Sequence, residues 1–280
     1  MFDATAIVPT LGRLPELEAC LGSLAATSPS FRHVLVIDQS DGRGAEVARH
    51  HGADAITIES RGLSHARNRG LEQAVGTWCF FPDDDCTVAP DFTSRCIEFI
   101  DREPAAGFLC ARVEAPGGRV LSRGMGEVRR PIRTAHDVLT TGLSAGLVVH
   151  RRVFDRIGPF DERFGVGSRY PSGEESDLLL RAIHAGLPGW YVPEARVFHP
   201  DPHQAADPSS RVRRAESYGR GWGALMARHR LAGLHTLYLV RALGGAALAT
   251  LTGRAEEARR HGASFRGRRD GYRAFRSEFR

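Results

Sequence analysis

Over the first 90 residues, short β-branched apolar runs alternate with stretches of helical spacing, a rhythm that few architectures accept. Ala4 to Val8 reads as a strand, and Leu14, Leu17, Leu21 and Leu24 then recur one helical turn apart. His33 to Ile37 is a second strand, Ala45 to His51 a short helix, and Ala55 to Ile58 a third strand. Leu63 to Val75 is a further helix and Trp78 to Phe81 a fourth strand. Runs that are apolar on successive residues and separated by helices belong to parallel strands buried on both faces. The expected fold is therefore α/β, a Rossmann-like, mostly parallel sheet with helices on both faces. Such sheets bind ligands at the carboxyl ends of their strands. Those ends carry Pro9-Thr10, then Asp38-Gln39-Ser40-Asp41, then Pro82-Asp83-Asp84-Asp85. The chain has no G-x-G-x-x-G, so the dinucleotide fingerprint is missing from the first strand-helix turn.

The second half is less regular. Pro90 to Glu103 reads as a helix and Phe108 to Val113 as a strand, followed by a loop-rich excursion over 114–143. Leu147 to Val149 is a strand, Arg152 to Ile157 a short helix stopped by Gly158-Pro159, Glu174 to Ala185 a helix, and Trp190 to Phe198 extended. After Pro208 the pattern is helical.

All 38 basic residues are Arg. The absence of Lys removes the Walker phosphate loop, Schiff-base chemistry and Ser-Lys dyads. Five Cys with no C-x-x-C pair suggest neither a zinc ribbon nor a disulfide framework, and point to a reducing cytoplasm. The start Met-Phe-Asp shows no basic and apolar leader. The formal net charge of +5 is a property of residues 253–280, which hold nine Arg against Glu256, Glu257, Asp270 and Glu278. Charge concentrated there argues against a nucleic-acid face and for one anionic contact.

Two clusters could carry chemistry. Asp83, Asp84 and Asp85 end an apolar strand, and like charges so close raise one another's pKa unless a cation intervenes. In extended backbone Asp83 and Asp85 share one side, where oxygen ligands suit magnesium or manganese. The plainer alternative is a solvated acidic turn. The second cluster, Ser172 to Arg181, places Glu174, Glu175 and Asp177 at a helix start. Capping by the helix dipole accounts for part of that, and a carboxylate held there would also serve as a general base. His199, between an extended run and Pro200, is structural unless a metal lies nearby.

Taken in order, Ile7-Val8-Pro9-Thr10 with Arg13, Val36-Ile37-Asp38, Gly62 to Gly70, and Phe81 to Asp85 resemble family 2 glycosyltransferases. Arg151 to Phe154, Ile157 to Glu162, Gly173 to Leu178 and His199 continue the likeness, which covers most of residues 4–200. The resemblance implies a GT-A fold and transfer of a sugar from a nucleotide-sugar donor to a glycan, lipid-linked or small-molecule acceptor. It divides the chain into a GT-A domain over 1–205, with a nucleotide-binding half (1–113) and an acceptor half (114–205), and a helical arm over 206–280. By position, Pro9, Thr10, Arg13, Asp38, Arg67, Asp83 and Asp84 would bind the nucleotide, with Asp38 accepting from the base and Asp83 on the ribose side. Asp85, Asp83 and His199 would hold Mn2+ or Mg2+. Glu175 stands where the family usually has the Asp that deprotonates the acceptor, a departure that leaves Glu174 or Asp177 to share the role. Inversion is implied, and UDP is the donor nucleotide expected. A non-catalytic nucleotide-sugar-binding or membrane-recruiting subunit is the alternative that Glu175 motivates.

Gly142-Leu143-Ser144-Ala145-Gly146 matches a nucleophile elbow, and Ser144, Asp177 and His199 follow in hydrolase order. An elbow needs a strand before the serine and a helix after it, whereas here a strand follows. In the arm, Leu231 to Leu251 is apolar but holds Arg241, too costly at a bilayer centre for a spanning helix. Phe265, Tyr272, Phe275 and Phe279 recur among Arg266, Arg268, Arg269, Arg273, Arg276 and Arg280. That basic aromatic stripe either docks on the protein or meets an anionic membrane, the second giving peripheral attachment at the inner face.

Overall fold

The computed structural model of the chain describes residues 1–122, 124–201 and 207–278. The strands β1 (Phe2–Thr10), β2 (Phe31–Asp38), β3 (Asp54–Thr57) and β4 (Trp78–Phe80) are separated by α1 (Leu14–Ala25), α2 (Arg43–His50) and α3 (Leu63–Gln73). They pair in parallel, in the order β3-β2-β1-β4, as the apolar runs require. Ala4, Ala6, Ile7 and Val8 are fully buried, so β1 is covered on both faces. Gly70 lets α3 sit directly on β1, since a Cβ there would lie 2.3 Å from Ile7 Cγ2. Beneath the sheet Phe80 stacks on Phe31 at 5.8 Å and meets Phe92 at 4.7 Å. Each such ring contributes about 1.5–3 kcal/mol by burial.

Beyond β4 come β5 (Thr87–Val88), α4 (Phe92–Arg102), β6 (Phe108–Glu114), β7 (Arg130–Ile132), α5 (Ala135–Thr141), a 3-10 turn (Ser144–Gly146), β8 (Leu147–His150), α6 (Arg151–Ile157), α7 (Glu174–His184) and β9 (Gly189–Phe198). Among the described residues they complete a nine-stranded sheet, β3-β2-β1-β4-β8-β6-β9-β5, with β7 on β9. Here the sheet is mixed. β8 runs antiparallel to β4 and β6, and β5 and β7 run antiparallel to β9, while β6 and β9 are parallel. Within the excursion over 114–143, β7 and α5 were not expected. β7 is three residues long with a central Pro131, and α5 rests on a capping box between Thr134 and Asp137.

The chain divides into two compact units, residues 1–160 with 178–201, and residues 161–177 with 202–280. The 161–177 segment groups with the helices. Within the second unit Phe164 and Tyr170 from that segment pack on Phe275 at 6.0 and 5.7 Å. Its helices are α8 (Pro208–Arg228), α9 (Ala232–Leu251) and α10 (Ala255–Glu278). The α8 and α10 backbones approach at glycines. A Cβ on Gly223 would lie 2.0 Å from the Arg268 carbonyl oxygen, and one on Gly271 equally close to that of Arg220. Among the aromatic residues of the basic stripe, Phe275 is 6% exposed and Tyr272 stacks on His235 at 4.0 Å, so both face their own unit. Phe279 and Arg280 lie outside the described residues. α9 is long and apolar enough to cross a membrane by length and composition, with Arg241 near its middle. Its residues Leu237, Val240, Leu243, Leu248 and Leu251 are exposed.

Candidate active site

The parallel register sets Thr10 beside Asp38 at the carboxyl ends of β1 and β2. Pro9 lies beyond Ala6, the last β1 residue paired with β4, so its missing N–H breaks no β1–β4 ladder bond. After β4 the chain does not stay extended. It turns at Asp84 and Asp85, closed by the Cys86 N–H donating to the Asp83 carbonyl at 3.1 Å. The turn nonetheless separates the three acids.

Asp84 is directed inward and is 3% exposed. It accepts from the Thr10 hydroxyl at 2.6 Å and from the Arg13 guanidinium. Burial raises its pKa, opposed by the Thr10 hydrogen bond and the Arg13 charge, and the balance stays above the ordinary carboxylate range. Asp84 thereby holds Thr10 and Arg13 in place. Asp83 and Asp85 each divide their two oxygens. Asp83 Oδ1 accepts from Arg67 at 2.9 Å, while its Oδ2 stands 3.9 Å from His199 Nε2. Asp85 Oδ2 takes Arg13, while its Oδ1 stands 3.6 Å from the same Nε2. Two arginines therefore supply much of the compensation for which the sequence suggested a metal.

His199 follows β9, its N–H bonded to the Glu114 carbonyl at 2.9 Å. Its Nδ1 lies 2.5 Å from the Pro200 carbonyl, an acceptor, so Nδ1 carries a proton and Nε2 is the nitrogen turned toward the acids. Cys86 Sγ lies 3.9 Å from Asp85 Oδ1, and the ligand atoms of Asp83, Asp85, Cys86 and His199 all lie within 4.8 Å of one another. Two carboxylates and an imidazole fit a divalent cation. The sequence reading missed Cys86, which lacks any spaced partner cysteine.

Arg67, from α3, is fully buried, bonded to Asp83 and to the Ser144 hydroxyl, and lies over the Phe160 ring at 5.7 Å. Its neighbour Asn68 clamps the Phe160 backbone through two 3.0 Å hydrogen bonds. Ser144 opens a 3-10 turn that feeds a strand, and its hydroxyl accepts from an arginine, so the hydrolase elbow is absent. Asp38, expected to accept from the base, is fully buried and accepts the Ser40 N–H at 2.8 Å and the Ala45 N–H at 3.0 Å. It ties β2 to the first turn of α2. That turn comes close because a Cβ on Gly44 would lie 2.9 Å from Thr10 Cγ2.

The other acids belong to the second unit. At the start of α7, Glu174 is 4% exposed, Asp177 fully buried and Glu175 half-buried. Asp177 pairs with His229 Nε2 at 2.8 Å and with Arg228 Nε at 2.5 Å. Arg228 also reaches Asp161 at 3.0 Å. Burial pushes the Asp161 pKa up, but hydrogen bonds from Arg163 and the Arg228 charge outweigh it and hold the group low. Asp177, a candidate to share the base role, is a buried ion-pair partner. Arg228 and His229 were not anticipated, since they lie some fifty residues away with no local signal.

A family model described as "Glycosyl transferase family 2" matches residues 5–157. Among curated relatives, an "Uncharacterized glycosyltransferase" of Haemophilus influenzae is 23% identical over 63% of this chain and 60% of its own length. "Succinoglycan biosynthesis protein ExoM" of Rhizobium meliloti is 28% identical over 77% of this chain and 72% of the relative. "N-acetylglucosaminyl-diphospho-decaprenol L-rhamnosyltransferase" of Mycobacterium tuberculosis is 27% identical over 71% and 76%. Among solved structures, mannosyltransferase PcManGT from Pyrobaculum calidifontis, in complex with GDP-Man and Mn2+, superposes with a TM-score of 0.64 at 18% identity, covering 95% of this chain and 86% of that one. Staphylococcus aureus TarS 1–349 does so with a TM-score of 0.62 at 14% identity, covering 99% and 92%. The fold is GT-A, and with the family model spanning more than half of its residues the chain belongs to glycosyl transferase family 2.

Proposed function

We propose that the chain is a glycosyltransferase that moves a sugar from a nucleoside-diphosphate sugar, UDP favoured, to an acceptor hydroxyl with inversion. The observation that carries this reading is the divided use of Asp83 and Asp85, each with one oxygen on an arginine and the other toward His199 Nε2. That arrangement suits a divalent cation held by Asp83, Asp85 and His199. Mn2+ or Mg2+ bound there supplies Lewis-acid stabilisation of the departing diphosphate. Arg13 and Arg67 orient the two carboxylates, and Asp84 fixes Arg13 and Thr10. Glu175, the most accessible acid of its cluster, takes the acceptor proton as the acceptor oxygen bonds the anomeric carbon and the bond to the diphosphate breaks. The GDP-Man and Mn2+ of the PcManGT complex and the UDP of a TarS complex support a nucleotide-sugar donor.

The acceptor side is read from α9. Its exposed Leu237, Val240, Leu243, Leu248 and Leu251, with exposed Arg230, Arg241 and Arg254, favour peripheral contact with an anionic membrane from the cytoplasmic side. The rhamnosyltransferase relative is named for a lipid-linked substrate, which agrees with that contact. Vesicle pelleting should weaken in a Leu243→Glu, Leu248→Glu variant, and unchanged pelleting would remove the membrane reading.

The principal test is a thermal-shift panel of UDP, GDP, dTDP and CDP, each with and without Mn2+. One nucleotide should raise the melting temperature only with the metal, and Asp85→Ala should abolish the rise. No shift with any nucleotide would overturn the proposal.

A further inference from the structure

The cluster at the end of β4 contains a sulfur that a hard-cation site does not require. Cys86 closes the turn through its N–H to the Asp83 carbonyl, which brings its side chain beside the acids. It is 1% exposed, with Sγ 3.9 Å from the Asp85 oxygen that faces His199. Asp83, Asp85, Cys86 and His199 thus offer four ligand atoms, all within 4.8 Å of one another. Four donors placed tetrahedrally at metal-ligand distances of about 2.0–2.3 Å stand about 3.3–3.8 Å apart, so the set has to close by about 1 Å or less to grip an ion. Magnesium and manganese gain little from sulfur, whereas zinc-class ions prefer a mixed thiolate, imidazole and carboxylate set and accept four-coordination.

We propose that the cluster is a zinc-class site in which Cys86 supplies a thiolate ligand beside Asp83, Asp85 and His199. On binding, the Sγ–H proton leaves to solvent and the sulfur lone pair forms the metal bond, with no change of oxidation state. A shell filled by four protein ligands leaves no open position for a diphosphate, so a zinc-class ion held by all four blocks donor binding. This inference rests on the proposed cation site at Asp83, Asp85 and His199, and adds the residue that sets its selectivity.

The test uses the full chain titrated with Co2+ as the zinc probe. A sulfur-to-cobalt charge-transfer band in the near ultraviolet should develop, disappear on addition of Zn2+, persist in Cys20→Ser and be lost in Cys86→Ser. Losing the thiolate should weaken Co2+ and Zn2+ binding by more than about a hundredfold, beyond the roughly 10–100-fold that loss of an outer-shell contact usually costs. Mn2+ binding, followed by electron paramagnetic resonance, should be retained in Cys86→Ser. Co2+ bound without the band, or with a band unchanged in Cys86→Ser, would overturn the inference and leave the hard-cation site standing. Failure of both Mn2+ and Co2+ to bind the unmodified chain would overturn both.

Discussion

The chain carries two acidic clusters that look alike as text and are used differently. In the first unit, Arg13 and Arg67 take one oxygen each from Asp85 and Asp83, and the other oxygens stand toward one imidazole nitrogen. In the second, Asp177 is fully buried on Arg228 and His229, Asp161 is held by Arg163 and Arg228, and Glu175 is left half-buried. Cations that engage one edge of a carboxylate present the other edge to a ligand. Cations that enclose it turn the acid into scaffolding. The number of acids in a run therefore says less about chemistry than the geometry of the bases that meet them.

This contrast can be broken most decisively at Glu175. Glu175→Gln should lower turnover by about 10²–10⁴ while the nucleotide-induced thermal shift survives. Full activity would return the base role to another acid. Asp177→Ala should instead cost stability, roughly 3–5 kcal/mol in a denaturant midpoint, by removing the buried acid that Arg228 and His229 share and opening a gap beside them. Asp85→Asn should move that midpoint by less than about 1 kcal/mol, since its arginine partner is half exposed. A large loss there would make the first cluster scaffolding too. The acid limb sharpens the same contrast. Because the Asp161 pKa is held low in the folded state, its stabilisation is present above the ordinary carboxylate range and is lost as pH falls through the folded value. Asp161→Asn should flatten the melting temperature against pH there and leave neutral pH the better range for both proteins. The smallest effect belongs to Ser144→Ala, which removes one acceptor from Arg67 and should lower activity by about tenfold, the low end of what one charged hydrogen bond is worth. A total loss would revive a nucleophilic serine.

The parallel half of the fold was legible because each run from Ala4 to Phe81 carries its own periodicity. β8 was legible as a strand but not in its direction, because antiparallel insertion between β4 and β6 is decided by partners distant in the chain. At the site, Asp83, Asp85 and His199 could be named from a familiar order of motifs. The separation of Asp84 from Asp83 and Asp85 was readable as well, although a turn at Asp84 and Asp85 produces it and not extended backbone, whereas the bonds from Thr10 and Arg13 to Asp84 were not. Asp38 illustrates the same limit. Its place at the end of β2 was readable, whereas its capture by the Ser40 and Ala45 amides depends on how closely α2 approaches, which Gly44 decides.

The glycine seam between α8 and α10 bears on how this protein can vary. At Gly223, Gly267 and Gly271 the space for a first side-chain carbon is already filled by backbone of the opposite helix. Every missense change at a glycine adds at least that carbon, so these positions have no conservative neighbour in sequence space. Drift, and any library built on this scaffold, is free to use the outward faces of the two helices, while the seam admits one residue type.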